Sequence, residues 1–512
     1  MEHYKNDASI FEIKPQAILL PKNKNDIFAA LTWVYKQKEN GINISLTARG
    51  KGTDLTGGAV NDGIIIRFSG YLDKILEIGN DFIRTEPGII LNNLQKELLK
   101  KGKWVPLNPA SADFASVGGV VANNAGGTKA VKYGTTKKWI KALKVILADG
   151  KEVEIKKLNS QELSEKLKQN DLEGDIYRQI KALIEENQKV IADNKPQATK
   201  ISSGYDLWNV IDGDNFSLIP LFSPSQGTLG IITEITLYTI DKPFEEGLVL
   251  GYFKSLQDVS RAVLELLKLK PAALEMIDWH IEELVRKINP QLTKSLPEQL
   301  PKVILYAEFE GNSRDEVIDY LIKAHDIMKE FAYDTNQALE SPKEQQLWQL
   351  RTSAAHIINE MKGDNRAVPL EFDAAVSPEL LPEYLNKLEQ IFKKYHFTFS
   401  VWGHAGDGNL HIRPIINTKS EEDFKKLAPL SQDVYQLIAA LKGTASGEHG
   451  DGVQCAPFLS ILYSDEMLNL FRKIKSIFDP NNIFNPGKKM EISVDQWNSY
   501  LRKNLEDYGK IS

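Results

Sequence analysis

PASADFASVGGVVANNAGGTKAVKYGTT, residues 109–136, carries two glycine pairs, Gly118-Gly119 and Gly126-Gly127, with Asn123 and Asn124 between them. Glycines at this density let a backbone approach a ligand closely, and the asparagines add side-chain donors and acceptors. The stretch has two companions. TARGKGTDLTGGAV (47–60) sets Gly50, Gly52, Gly57 and Gly58 in a loop after a strand, where consecutive N–H groups form an anion-binding nest. Leu55 stands where a G-x-G-x-x-G fingerprint needs its third glycine, and no helix follows, so that dinucleotide motif fails. SPSQGTLGIITEITL (223–237) is a tight turn feeding a strand. One such loop reads as a flexible turn. Three in one half of the chain predict a long ligand threaded between backbone walls, with a diphosphate-containing cofactor as the natural candidate.

A second signal lies in VWGHAGDGNLHIRP, residues 401–414. Asp407-Gly408 is a preferred pair for a two-residue type I′ loop, which would set His404 directly opposite His411. Cβ atoms of such a pair lie about 4.5–5.5 Å apart, close enough for two imidazoles to share a metal ion. Alone, the stretch reads equally as a polar hairpin with two exposed histidines. A third ligand is sought in SGEHGDG (446–452), where Glu448 and His449 are adjacent. In an extended segment they point to opposite faces, one toward a metal and one toward a substrate. Two histidines and a carboxylate leave coordination positions open, the mark of a catalytic metal; a solvated turn is the alternative. On these residues alone a metal hydrolase fits as well as anything.

At 512 residues the chain has room for two or three domains with full cores. A net charge of −6 gives no electrostatic case for nucleic acid. The single cysteine, Cys455, excludes internal disulfides, cysteine-ligated zinc and an iron–sulfur cluster. The start of the sequence has no apolar h-region, and no apolar run reaches the length of about 18 residues that a transmembrane helix needs. The expectation is a cytoplasmic protein, at most peripheral to a membrane, without a transmembrane segment.

Along the chain, spacing predicts a helix within 23–41, strands in NISLTARG, GIIIRF, KILEIG and FIRTEPG, and an amphipathic helix ending at Gly102. KALKVILADGKEVEI (141–155) reads as a hairpin turning at Asp149-Gly150, and IITEITLY (231–238) as an alternating strand. Residues 156–200 read as a helical insertion. From about 244 the order is strand, helix, helix, strand, helix, with EMIDWHIEELVRK as the second helix. That is an α+β pattern without βαβ repetition.

In their order, RGKGTDLTGGA, SVGGVVANNAGG with KYGTT, QGTLGIITE, GHAGDGNLH, SGEHGDG and FDPNNIFNPGK resemble the FAD-linked 2-hydroxyacid dehydrogenases. That family, in the vanillyl-alcohol-oxidase superfamily, includes D-lactate dehydrogenase, the glycolate oxidase flavoprotein subunit and D-2-hydroxyglutarate dehydrogenase. The resemblance covers roughly residues 14–489. It implies an α+β fold with a two-subdomain FAD-binding domain over 14–243, carrying the insertion at about 156–200. A ferredoxin-like cap or substrate domain over 244–445 and a C-terminal helical segment over 446–512, returning to the flavin, would follow.

By the same resemblance, Arg49, Gly50, Gly52, Thr53, Gly57 and Gly58 line the diphosphate of FAD. Pro109, Ser111, Gly118, Gly119, Asn123, Asn124, Gly126 and Gly127 run along the ribityl and isoalloxazine portion. Gly227, Ile231 and Ile232 hold the adenine side, and Asn485 approaches the flavin. The RSGGH-type histidine of covalent relatives is missing from 49–53, which implies noncovalent FAD. SPSQGTLG replaces the usual GSEGTLG, so Ser223-Pro224 and Gln226 mark a departure expected to alter adenine-end contacts.

The resemblance assigns His404, His411 and Glu448 to a divalent metal, zinc or manganese, and His449 to the general base. It makes Arg351 the clamp on the substrate carboxylate, with Asn409 placed to hydrogen-bond the substrate. A D-2-hydroxy acid would be oxidised to the 2-oxo acid by hydride transfer to flavin N5. Its electrons would pass to a separate acceptor, an electron-transfer protein or a quinone. That expectation rests on the single cysteine and the lack of room after NPGKK for a cluster domain; NAD is not expected, since no dinucleotide fingerprint is present. A homodimer is left open. In PLEFDAAVSP, Glu371 stands where the 2-hydroxyglutarate enzymes carry a lysine. The expected substrate is therefore a monocarboxylate such as D-lactate or glycolate, with Arg366 the nearby cation that would rescue a dicarboxylate. D-2-hydroxyglutarate oxidation, a flavin-free metal hydrolase and a noncatalytic FAD-binding scaffold are the alternatives.

Overall fold

The helix expected within 23–41 spans Lys24–Glu39, and its cap, Asn23, accepts a hydrogen bond from the Asn25 N–H. Ile27, Leu31 and Val34 form its buried stripe, sharing an apolar cluster with Leu46, Ile66 and Phe484. The neighbouring sheet is parallel, in the order Ala17–Leu19, Ile64–Arg67, Leu46–Arg49. The first glycine loop leaves from the carboxyl end of Leu46–Arg49, the end where open sheets with crossover helices take their ligands. This architecture comes from a computed structural model describing residues 1–288, 290, 296–297, 299, 301–339, 341–490, 492–502 and 505.

A second sheet has five strands, in the order Ile75–Ile78, Phe82–Thr85, Ile231–Tyr238, Ile140–Ile146, Glu152–Lys156. IITEITLY is its central strand, residue for residue as read from the sequence. The Asp149-Gly150 turn joins the last two strands in sequence. Helices Ser160–Leu167, Leu172–Glu186 and Gln188–Asp193 fill the insertion.

The third sheet positions the site. Its seven antiparallel strands run Asp334–Ala338, Glu245–Phe253, Val303–Gly311, Ala273–Asp278, Thr398–His404, Asn409–Asn417, Asn365–Ala367. Helices cover both faces. Val249, Phe253 and Leu305 cluster with Val259 of Leu256–Leu267 and Leu321 of Arg314–Phe331. Leu250, Ile277, Tyr306 and Trp402 cluster instead with Ile281 of Trp279–Ile288 and Leu350 of Ser341–Ile357.

One segment departs from the sequence reading. EMIDWHIEELVRK is not one helix: Ala273–Asp278 is a strand buried at all six positions, and the helix starts at Trp279. A strand covered on both faces has no polar alternation to betray it. The Asp278 carboxylate accepts from the Ile281 N–H and marks the true helix start.

After helix Asp465–Phe478 the chain returns to the first sheet, with Phe484 bridging to Leu46. Residues 506–512 of the C-terminal segment lie outside the described residues. Among the described residues no helix is long and apolar enough to cross a membrane.

Candidate active site

A cleft of about 990 Å³ runs from the first glycine loop to the two histidines of the third sheet. Arg49, Gly50, Gly52, Thr53 and Gly58 wall one end; Pro109, Ser111, Gly118, Gly119 and Asn123 wall the middle, with Gly227 and Ile232 beside them. Arg351, His404, His411, Glu448 and His449 close the other end. A volume of this size lies at the upper end of ordinary ligand pockets, and its walls are the backbone-rich ones the sequence indicated.

Several expected cofactor residues stand behind the wall. The buried Asn485 amide donates to the Gly58 and Gln226 carbonyls, while its oxygen accepts from Thr47 and Asn61. It ties two cleft loops together and does not itself line the cleft. Asn124 caps the helix Val117–Asn123 in the left-handed region and donates to Ser202. Gly57 and Ile231 pack into the interior. Arg49 donates to the Asn6 and Ala59 carbonyls beneath the Tyr4 ring, so its guanidinium braces the loop. Gln226 lies at the junction of two loops. Its amide donates to Asp54, Thr56 and the His449 carbonyl, and its oxygen accepts from the Gly452 N–H.

The histidines meet, but not in the expected register. Trp402 pairs with His411 and His404 with Asn409, with Ala405–Asp407 forming a 3₁₀ turn and Gly408 left-handed at φ 63°. The turn is buried, and a Cβ on Gly408 would stand 2.0 Å from the Val376 carbonyl. Tertiary packing therefore overrides the two-residue loop that Asp-Gly favours in isolation. His404 and His411 become diagonal neighbours on one face, still within reach for long side chains. Their Nε2 atoms are 3.3 Å apart.

Residues 446–452 bend where an extended run was expected. The Glu448 and His449 N–H groups both donate to one Asp373 oxygen, at 2.9 and 2.8 Å, so the side chains turn the same way. Glu448 Oε1 lies 3.0 Å from His404 Nε2, 3.5 Å from His411 Nε2 and 3.7 Å from His449 Nε2. The His449 ring stacks on His411, with centroids 5.0 Å apart. Glu448 Oε2 accepts from Lys200 and from the Gly127 N–H, both at 3.1 Å.

These residues fit a divalent cation. Ligands about 2.0–2.1 Å from a tetrahedral metal stand about 3.3 Å from one another, and the His404–His411–Glu448 triangle has sides of 3.0, 3.3 and 3.5 Å. Among the described residues, Glu275, Glu371, Asp373, Asp407 and Glu448 meet only Lys200, Arg351 and Arg413 as fixed cations in this ion-pair network. Five carboxylates against three cations favour two further positive charges. The protonation of His404 tells the same story: burial pulls its pKa down, yet Glu275 and Glu448 raise it to about 9. His411 is lowered, burial prevailing. His449 is raised because Asp373 and Glu371 outweigh burial.

Gly126 shows how tight the surroundings are, since a Cβ there would lie 2.4 Å from Glu448 Oε2. Gly126→Ala is expected to displace the carboxylate and weaken metal binding about tenfold or more. Equilibrium competition against a chelator measures it; unchanged affinity would show that Glu448 has slack.

Sequence reasoning missed four residues here. Glu275 was hidden by the helix misreading, and Asp373 and Lys200 act only through tertiary pairing. Arg413 was legible, two positions beyond His411 on an alternating strand. Its Nε donates to Glu371 Oε2 at 2.6 Å and its Nη1 to Asn359 at 2.5 Å. The cation beside Glu371 is thus Arg413, not Arg366, which lies off the cleft wall and donates to the Gly363 carbonyl. Asn409 is fully buried behind the histidines and donates to Asp373 and the Ala374 carbonyl, so it does not face the cleft.

Residues 15–156 match the FAD binding domain, and residues 242–489 match the C-terminal domain of FAD linked oxidases. Over these residues the chain is similar to FAD linked oxidases.

It is 26% identical over 503 residues to the D-2-hydroxyglutarate dehydrogenase of Haemophilus influenzae, covering 94% of this chain and 48% of the relative. The chain thus spans about half the length of that relative. The D-lactate dehydrogenase of Anaerostipes hadrus is 29% identical, with 93% of this chain and 89% of its own covered. Glycolate oxidase subunit GlcD of Bacillus subtilis is 26% identical, with 95% and 91% covered. In fold it resembles 4-ethylphenol oxidase from Gulosibacter chungangensis, at a TM-score of 0.68 and 14% identity over 96% of this chain and 93% of the other.

Proposed function

We propose that this chain oxidises a D-2-hydroxy acid to the 2-oxo acid, with noncovalently held FAD and a divalent cation at His404, His411 and Glu448. The observation that carries the reading is the meeting of those three side chains with His449 at one end of the glycine-walled cleft. When bound, FAD supplies the hydride acceptor and the cation supplies Lewis acidity at the substrate hydroxyl. His449 takes the hydroxyl proton, from a position stacked on His411 and backed by Asp373. Arg351 receives the substrate carboxylate, for which a guanidinium fork is geometrically suited. With FAD bound, the electrons would leave for a separate acceptor. The test is anaerobic flavin bleaching with a panel of D-2-hydroxy acids. A protein that stays oxidised with every member refutes the reading.

The favoured substrates are monocarboxylates such as D-lactate or glycolate. Glu371 lines the cleft 3.5 Å from the Nδ1 atoms of His411 and His449. A second substrate carboxylate about 4 Å away meets repulsion of about 4 kcal/mol at an effective dielectric near 20. Arg413 offsets part of this, but its Nε is already engaged with Glu371. The expected result is a kcat/KM for D-lactate about tenfold or more above that for D-2-hydroxyglutarate. The reverse order would assign the distal carboxylate to Arg413.

A further inference from the structure

Glu275 lies at the third position of the buried strand Ala273–Asp278, between Leu274 and Met276 and with no exposed surface. Strand pairing sets Met276 against Gly403 and Ile277 against Trp402, which brings Glu275 beside His404. The two carboxylate oxygens have different partners. Oε1 is 2.7 Å from His404 Nδ1; Oε2 is 2.9 Å from Arg351 Nε and 2.5 Å from its Nη2. A carboxylate this deep is costly unless both oxygens are matched, and an apolar residue would suit the strand better on packing alone.

We propose that Glu275 is a positioning residue that holds the metal-binding imidazole with one oxygen and the substrate-binding guanidinium with the other. Metal affinity and substrate affinity then pass through a single buried side chain. The proposal rests on the reading of His404 as a ligand and Arg351 as the carboxylate clamp. Accepting from Nδ1–H leaves His404 Nε2 as the nitrogen that faces Glu448 and His411. Engaging Nε and Nη2 fixes the plane of the Arg351 fork, which lines the cleft. Neither group can rotate without breaking its bond to the carboxylate the other also uses.

Glu275→Gln separates the two roles from mere packing. It preserves shape but offers one acceptor oxygen and one NH₂, and the NH₂ must face a donor on one side. FAD-loaded wild type, Glu275→Gln, His404→Ala and Arg351→Met are titrated with Zn²⁺ alone against a chelator, and KM and kcat for D-lactate are measured. Glu275→Gln is expected to keep its flavin band, weaken Zn²⁺ binding about 10–100-fold and raise KM more than it lowers kcat. Zn²⁺ affinity and KM both within about threefold of wild type overturn the proposal, and so does a change in only one of them.

His404→Ala distinguishes the failures. If it binds Zn²⁺ as wild type does, the ligand reading falls and the proposal with it. If it loses Zn²⁺ while Glu275→Gln keeps both constants, the proposal alone falls. Should Glu275→Gln lose its flavin or its cooperative melt, Arg351→Met decides. Its Zn²⁺ affinity is expected to shift by about threefold or more, although Arg351 touches none of the three ligands; an unchanged affinity overturns the proposal.

Discussion

His449→Ala is expected to slow flavin reduction by about 10²–10⁴-fold, the range a general base contributes, while FAD and metal stay bound. The imidazole sits in the cleft wall, stacked on His411, and its backbone N–H is anchored on Asp373. Losing the ring therefore removes a proton acceptor without disturbing the anchor of the loop. Glu448, held from its far oxygen by Lys200 and Gly127, keeps its place. Stopped-flow reduction under anaerobic conditions measures the rate, and metal analysis of the same sample checks occupancy. A wild-type rate would remove His449 from the proton transfer.

The second large effect concerns the cation. His404→Ala deletes one corner of the ligand triangle, and the Glu275 carboxylate behind it loses the imidazole it bonds. Stoichiometric metal binding should be lost, and flavin reduction should fall by about 10³-fold, corresponding to about 4 kcal/mol of transition-state stabilisation. Dialysis of the wild type against a chelator should give the same loss, reversed by adding Zn²⁺ or Mn²⁺. Reduction that survives both treatments would mean that the cluster works as a purely organic acid–base site.

Much of this was legible in the sequence, for reasons that differ by element. Ile231–Tyr238 alternates, so its strand was read to the residue. Lys24–Glu39 carries its own cap and an apolar stripe. Ala273–Asp278 has neither signal, because both of its faces are covered. The glycine segments were visible as a long binding wall, but which residues face inward was not. Asn485 and Gly126 both belong to the motifs, yet one ties loops together from behind and the other gives clearance to Glu448. The histidines were found through a turn preference that the buried turn overrides. They converge all the same, because diagonal neighbours on one sheet face reach the same point. Glu275, Asp373 and Lys200 left no local trace, since each works by bonding residues far away in the chain.

Glu448 is grasped from both sides: His404 of the third sheet reaches one oxygen, while Gly127 and Lys200, from the part of the chain that holds the glycine loops, reach the other. Modularity stops there. A chimera that joined the cap of one relative to the cofactor half of another would split this carboxylate's partners between two ancestries. Residues 126–127 and 200 would have to travel with the graft, or Glu448 would keep its histidine and lose the partners of its other oxygen.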